Sequence, residues 1–138
     1  MGRRLSEETL ATFHDSLDRV LQQKDFFDVF YERLMSRSPE IAAKFAGFDM
    51  ARIKRLLRDA FYLKMMASDG NQRAAERLER MAARHAELGI TRAMHETWLE
   101  TLLSAVAERD PRYDARIEQS WRDVTRIGMD VMRSRAPA

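Results

Sequence analysis

Apolar residues recur every three to four positions through most of this chain, and this period constrains its fold more than any other feature. Such spacing places the apolar side chains on one face of an α-helix. Glycine and proline interrupt helices, and they occur only five and three times in 138 residues, mostly between the periodic stretches. The pattern therefore predicts an all-α protein built from amphipathic helices.

Start and stop signals divide the chain into seven predicted helices. Ser6, Asp49 and Thr91 are suited to the N-cap position, because their side-chain oxygens accept hydrogen bonds from the first amide groups of a helix. Pro39 fits a first helical position, and Gly89 fits the residue that ends a helix. The predicted helices cover about residues 6–22, 24–36, 38–43, 49–68, 72–88, 91–108 and 114–135.

The composition is that of one ordinary globular domain, which we expect to span residues 1–138. Acidic and basic groups nearly balance at a net charge of +2, which argues against a dedicated nucleic-acid-binding protein. No apolar run follows the basic residues 1–4 as a secretion signal requires, and no segment is apolar enough to span a membrane. Cysteine is absent, which excludes thiol chemistry and favours the cytoplasm.

One of the three histidines, His85, lies on the apolar face of the fifth predicted helix. It follows Met81 by four residues and Ala82 by three, so all three side chains point the same way. A buried histidine bonded to a nearby carbonyl would explain this position. A zinc site would lack ligands, since no cysteine exists and His14, His85 and His95 are far apart in sequence. A haem iron, by contrast, needs only one imidazole from the protein, so both interpretations stay open at this point.

The chain contains, in this order, Phe30-Tyr31, Phe45, residues 83–90 and residues 120–124. Together these segments resemble bacterial single-domain members of the globin family. Residues 83–90, Ala-Arg-His-Ala-Glu-Leu-Gly-Ile, are similar to the globin segment around the iron-binding histidine. The other segments are Phe30-Tyr31 with Leu34, Ser38-Pro39-Glu40, Phe45, and residues 120–124 with Met132. The resemblance covers about residues 6–134, the expected core of the domain. It implies an all-α globin fold, a three-on-three helical sandwich.

The resemblance also implies a haem b cofactor, held without covalent attachment because no Cys-x-x-Cys-His motif is present. His85 would be the axial iron ligand, with its second N–H bonded to the carbonyl of Met81. Arg84 is a candidate partner for a haem propionate, and Ile90 is a further haem contact. His95 would lie at the haem edge, where it could bond a propionate; a position beside solvent at the start of a helix is the alternative that we favour.

On the opposite side of the haem, the resemblance places Tyr31 as the polar residue and Phe45 as the ring that packs on the porphyrin. Ile53 and Leu57 would then lie over the open side of the iron. The family usually has histidine or glutamine where Ile53 lies. A shift of one residue in the preceding turn would place Arg52 there instead.

We prefer Ile53 at this place because the spacing to His85 then matches that of the family. The same alignment keeps Asp59 off the pocket face.

The function implied by the resemblance is reversible binding of a diatomic gas, namely dioxygen, nitric oxide or carbon monoxide. A nitric-oxide dioxygenase or another haem redox enzyme served by a separate reductase is one alternative. A haem-free globin-like regulatory or interaction domain is another. We favour the gas-binding protein over an enzyme, and either a monomer or a homodimer is compatible with the sequence.

Overall fold

The computed structural model describes the backbone of residues 5–135 and the side chains of residues 5–131. Residues 1–4 and the side chain of Met132, both used in the sequence analysis, lie outside the described part. The described helices are α1 (Glu7–Leu21), α2 (Phe26–Arg37), α3 (Pro39–Lys44), α4 (Met50–Ser68), α5 (Gln72–Glu87), α6 (Arg92–Arg109) and α7 (Ala115–Arg135). Over this range the chain is all-α, as the hydrophobic period predicts.

The predicted caps hold the helix ends. The Ser6 hydroxyl accepts a hydrogen bond from the Thr9 amide at 3.0 Å, and the Thr91 hydroxyl accepts one from the Met94 amide at 3.2 Å. The start of α2 differs from the prediction by two residues. The chain still turns there, because the Phe26 amide donates to the Gln23 carbonyl at 3.0 Å.

Two layers of helices form the fold. In one layer α4 packs on α5, and α1 contacts α4 through the rings of Phe13 and Phe61, whose centroids are 6.0 Å apart. In the other layer α6 packs on both α2 and α7. Helix α7 joins the layers, since it contacts α1, α4 and α5. This arrangement confirms the expected three-on-three globin sandwich.

Aromatic side chains form the centre of the core. Trp121 of α7 is fully buried, and its ring centroid lies 4.8 Å from that of Phe13 and 5.4 Å from that of Phe61. Edge-on contacts of this kind stabilise a core beyond the apolar area that they bury. They fix α4, which carries residues of the cavity described below, against α1 and α7.

A buried polar network ties α1 to the end of α6. The Trp121 indole donates a hydrogen bond to the Ser16 hydroxyl at 2.8 Å, and that hydroxyl donates to the Asp110 carboxylate at 2.6 Å. Arg19 donates to both oxygens of the same carboxylate, at 2.7 and 3.0 Å. The network thus satisfies each of these side chains inside the protein.

Candidate functional site

A cavity of about 630 Å³ lies between α4 and α5 and extends to α2, α6 and α7. This volume is within the range of roughly 300–1,000 Å³ that is usual for cofactor pockets. The buried part of its lining is largely apolar. The apolar and aromatic residues of the cavity lining include Leu34, Ile41, Leu57, Ala60, Met129, Phe45 and Trp98.

His85 lies in the last turn of α5 and borders this cavity. Its Nδ1 is 2.7 Å from the Met81 carbonyl oxygen. A carbonyl can only accept, so Nδ1 carries the proton and Nε2 keeps a free lone pair. This is the bond that the sequence analysis anticipated, and it leaves Nε2 able to ligate a metal.

Two features keep the His85 ring neutral. Desolvation by burial lowers the pKa of His85, the positive charge of Lys64 lowers it further, and the Met81 carbonyl offsets part of the effect. The ring therefore stays uncharged at neutral pH. Neutral imidazole is the form that binds metal ions.

The turn after His85 depends on Gly89. Its φ is +75°, a left-handed conformation that glycine adopts without strain. The Ile90 amide donates to the His85 carbonyl at 3.1 Å, and Lys44 Nζ donates to the Leu88 carbonyl at 2.9 Å. These bonds close the end of α5 and bring Ile90 to the cavity wall.

Tyr31 and Phe45 form the wall contributed by α2 and the end of α3. Tyr31 is buried, and its ring centroid lies 5.5 Å from that of Phe45 in an edge-on contact. Burial raises the pKa of the Tyr31 hydroxyl. The hydroxyl therefore remains protonated and can donate a hydrogen bond.

Residues of α4 form the facing wall. Leu57 is buried, Ile53 is half-buried and packs against the core, and Arg52 is exposed, although all three border the cavity. This packing favours Ile53 over Arg52 as the inward residue. The expectation that Asp59 stays off the cavity is wrong, because the cavity is open enough between α4 and α5 to include this exposed carboxylate.

The expectation that His95 lies beside solvent is wrong as well. His95 is only 6% exposed and borders the cavity, and its ring centroid is 6.1 Å from that of His85. The short turn at Gly89 folds the first turn of α6 back against the cavity. His14, by contrast, lies on the surface, with Nδ1 3.5 Å from the Asp18 carboxylate.

Cationic side chains border the exposed part of the cavity. Arg84 is exposed and lies 3.5 Å from Glu87. Arg52, Arg77 and Arg80 are exposed too, and each of them borders the cavity. Sequence reasoning missed Arg77 and Arg80 as cavity residues, because a helical projection alone does not show how far the opening extends.

Sequence reasoning also missed Lys64, which borders the buried part of the cavity. A signal existed, since Lys64 follows Leu57 by seven residues and Phe61 by three and so continues their apolar stripe. A lysine at such a position is either at the edge of the stripe or buried. The structure shows that Lys64 is buried.

Two layers of helices thus surround a cavity that His85 and His95 both border, and the Nε2 of His85 is able to ligate a metal. A crystal structure of a Pseudomonas aeruginosa PAO1 protein, described as structurally highly homologous to a human hemoglobin, matches with a TM-score of 0.86 and 34% sequence identity. The match covers 94% of this chain and 99% of that one. No protein-family model and no curated protein matches. The similarity in structure and sequence shows that the chain belongs to the globin family.

The described part of the chain contains no helix that is both long and apolar enough to cross a membrane.

Proposed function

We propose that this globin binds haem b without covalent attachment and uses it to bind a diatomic gas reversibly, whether dioxygen, nitric oxide or carbon monoxide. The observation that carries the proposal is the His85 imidazole, neutral, locked by the Met81 carbonyl and placed at a largely apolar cavity of cofactor size. The haem would supply an iron with one open coordination position for the gas.

The residues present fit this group. His85 Nε2 would ligate the iron, and the bond from Nδ1 to Met81 at 2.7 Å holds the ring plane. Ile90 and the buried His95 would contact the macrocycle from the same side. Arg84 would pair with a propionate at the exposed part of the cavity, in keeping with its exposure there.

The residues on the other side of the haem from His85 would control binding of the gas. Tyr31 would donate a hydrogen bond to it, since its hydroxyl stays protonated. Ile53, Leu57 and Phe45 would exclude water from the ligand side, because their side chains are apolar and wholly or partly buried. A dry pocket strengthens the bond from Tyr31.

The His85→Ala variant tests the ligand assignment. It should lose stoichiometric haem binding, because alanine provides no nitrogen for the iron. Absorption spectra of the ferric, ferrous and ferrous-CO forms, recorded during haem titration, measure this loss. His14→Ala is the matched control, since His14 is an exposed histidine, and it should bind haem as the wild type does.

A normal ferrous-CO spectrum in His85→Ala would contradict the assignment. A wild-type protein that shows no Soret band after haem is supplied would favour the haem-free regulatory or interaction domain instead.

A further inference from the structure

Lys64 places a cation in the buried part of the cavity. The side chain is only 4% exposed and borders the cavity together with His85 and His95. Its Nζ lies 5.2 Å from the centroid of the Phe61 ring and 5.1 Å from that of Trp98. The ammonium group therefore lies between aromatic walls that attract a cation.

The glycine in the middle of α7 makes room for this lysine. A Cβ at position 128 would lie 2.6 Å from Lys64 Cε, closer than atoms of side chains approach one another. Gly128 has no positive φ that would require glycine, and glycine inside a helix is less stable than alanine. Space for the lysine is a physical reason for glycine here.

The charge of Lys64 lacks a compensating carboxylate. No hydrogen bond or ion pair joins its ammonium group to a side chain within residues 5–131, where the described contacts are the two aromatic ones. Asp59 is the carboxylate among the described cavity residues, and it is exposed and 3.9 Å from Arg58. Burial lowers the pKa of Lys64 to about 8, which leaves the ammonium form accessible at neutral pH. A buried cation of this kind is stabilised by a counter-ion.

We propose that Lys64 forms an anion-binding site inside the cavity, which accepts a carboxylate attached to a small apolar group. The ammonium group binds the carboxylate, and Trp98 and Met129, which border the same cavity, provide apolar surface. Such a carboxylate has two sources, a free monocarboxylate or a propionate of the haem. The site in the haem-free protein does not depend on the proposed haem function.

Trifluoroacetate tests the site, because it is a carboxylate with an apolar end and a ¹⁹F signal. In the haem-free protein at pH 7, its ¹⁹F resonance should broaden in a saturable manner. Lys64→Met should weaken this binding by about tenfold or more, the effect expected for loss of a charged hydrogen-bond donor. Lys64→Arg should retain much of it.

The matched control is Lys54→Met, which removes a lysine of the same helix that is paired with Asp28 on the surface. It should bind trifluoroacetate as the wild type does. Gly128→Ala provides a second variant that keeps the charge, and it should weaken binding by displacing the lysine tail. Equal binding by wild type and Lys64→Met, with unchanged circular dichroism, overturns the proposal.

The ferrous-CO haem complex identifies the source of the carboxylate. Binding of trifluoroacetate that persists beside haem assigns the site to a free anion. Binding that is lost with haem but returns with haem dimethyl ester, which has no free carboxylate, assigns it to a propionate. Absence of binding with both forms of haem overturns the site in the loaded protein.

Discussion

The Tyr31 hydroxyl lies on a wall whose neighbours, Phe45 and Leu57, offer no hydrogen bond from their side chains. Under the proposed function, the Tyr31 hydroxyl would donate a hydrogen bond to a polar gas ligand on this side of the cavity. A hydrogen bond of this kind contributes about 1–3 kcal/mol, which corresponds to about one to two powers of ten in affinity. The proposed effect of Tyr31 on ligand affinity thus depends on its hydroxyl group.

Tyr31→Phe should therefore raise the dioxygen dissociation rate about 10- to 100-fold. Stopped-flow displacement of dioxygen by carbon monoxide measures this rate. Tyr62→Phe is the control, because Tyr62 is an exposed tyrosine of α4 and does not border the cavity. An unchanged rate in Tyr31→Phe would mean that the hydroxyl points away from the ligand.

Single substitutions also test whether Ile53 or Arg52 faces the ligand. Ile53→Ala should increase the rate of carbon monoxide binding, because it removes apolar bulk from the inward side of α4. Arg52→Ala should leave this rate nearly unchanged, since Arg52 is exposed. Flash photolysis measures both rates. The opposite pattern would show that the alternative alignment, with Arg52 at the ligand, applies.

At the scale of helices, Asp110 joins α1 to the end of α6. Its carboxylate accepts hydrogen bonds from Ser16 and from the Nε and Nη2 of Arg19, and Ser16 in turn accepts one from Trp121 of α7. Removal of the carboxylate would leave buried donors without an acceptor. Removing one partner of a buried ion pair lowers stability strongly because the other partner is left uncompensated.

Asp110→Ala should lower the free energy of unfolding by about 2–4 kcal/mol, less than a fully buried pair would lose because Arg19 is 22% exposed. Urea denaturation of the haem-free protein at pH 7 measures it. Asp25→Ala is the control, since the Asp25 carboxylate that pairs with Arg109 is 55% exposed and the pair should contribute less than about 1 kcal/mol. Equal losses in the two variants would contradict the role of the buried network.

The same carboxylate predicts acid sensitivity. Desolvation by burial would raise the pKa of Asp110, but the hydrogen bonds from Arg19 and Ser16 outweigh it and lower the pKa overall. A lowered pKa in the folded state means that the stabilisation is complete above the unfolded value of about 3.9 and is lost as pH falls through the folded value. Below about pH 4 the wild type should lose stability faster than Asp110→Ala.

At the scale of the whole molecule, the two layers enclose a cavity of about 630 Å³. A ligand that binds there only in the folded state stabilises the protein by mass action. The gain is about 4 kcal/mol when the free ligand is 1,000 times its dissociation constant. If haem binds there as proposed, the stability of the domain should rise when haem is present.

Haem should raise the melting temperature of the wild type by several degrees, about 2–8 °C for each kcal/mol in a domain of this size. His85→Ala should lose most of this increase, because haem without the iron–nitrogen bond binds weakly. Calorimetry with and without haem measures the difference. The same increase in both proteins would show that haem is held by the apolar walls alone.

Much of the helical framework was predictable because it depends on local features. The Ser6 and Thr91 caps involve residues three apart, and the hydrogen bond from His85 to Met81 spans one turn of a single helix. The positive φ at Gly89 likewise follows from the end of α5. Each of these features involves residues that are close together in sequence. The local sequence therefore specifies it.

The burial of His95 and the position of Lys64 were not predictable in this way. Lys64 lies against Gly128, and Ser16 bonds to Asp110, so each pair joins residues of different helices far apart in sequence. Such contacts depend on how the two layers pack and how wide the cavity opens. By itself the sequence determined the helices, the family resemblance and the proposal of His85 as the iron ligand. Only the tertiary structure decided which charged and polar side chains share the cavity with it, because packing between distant segments sets their burial.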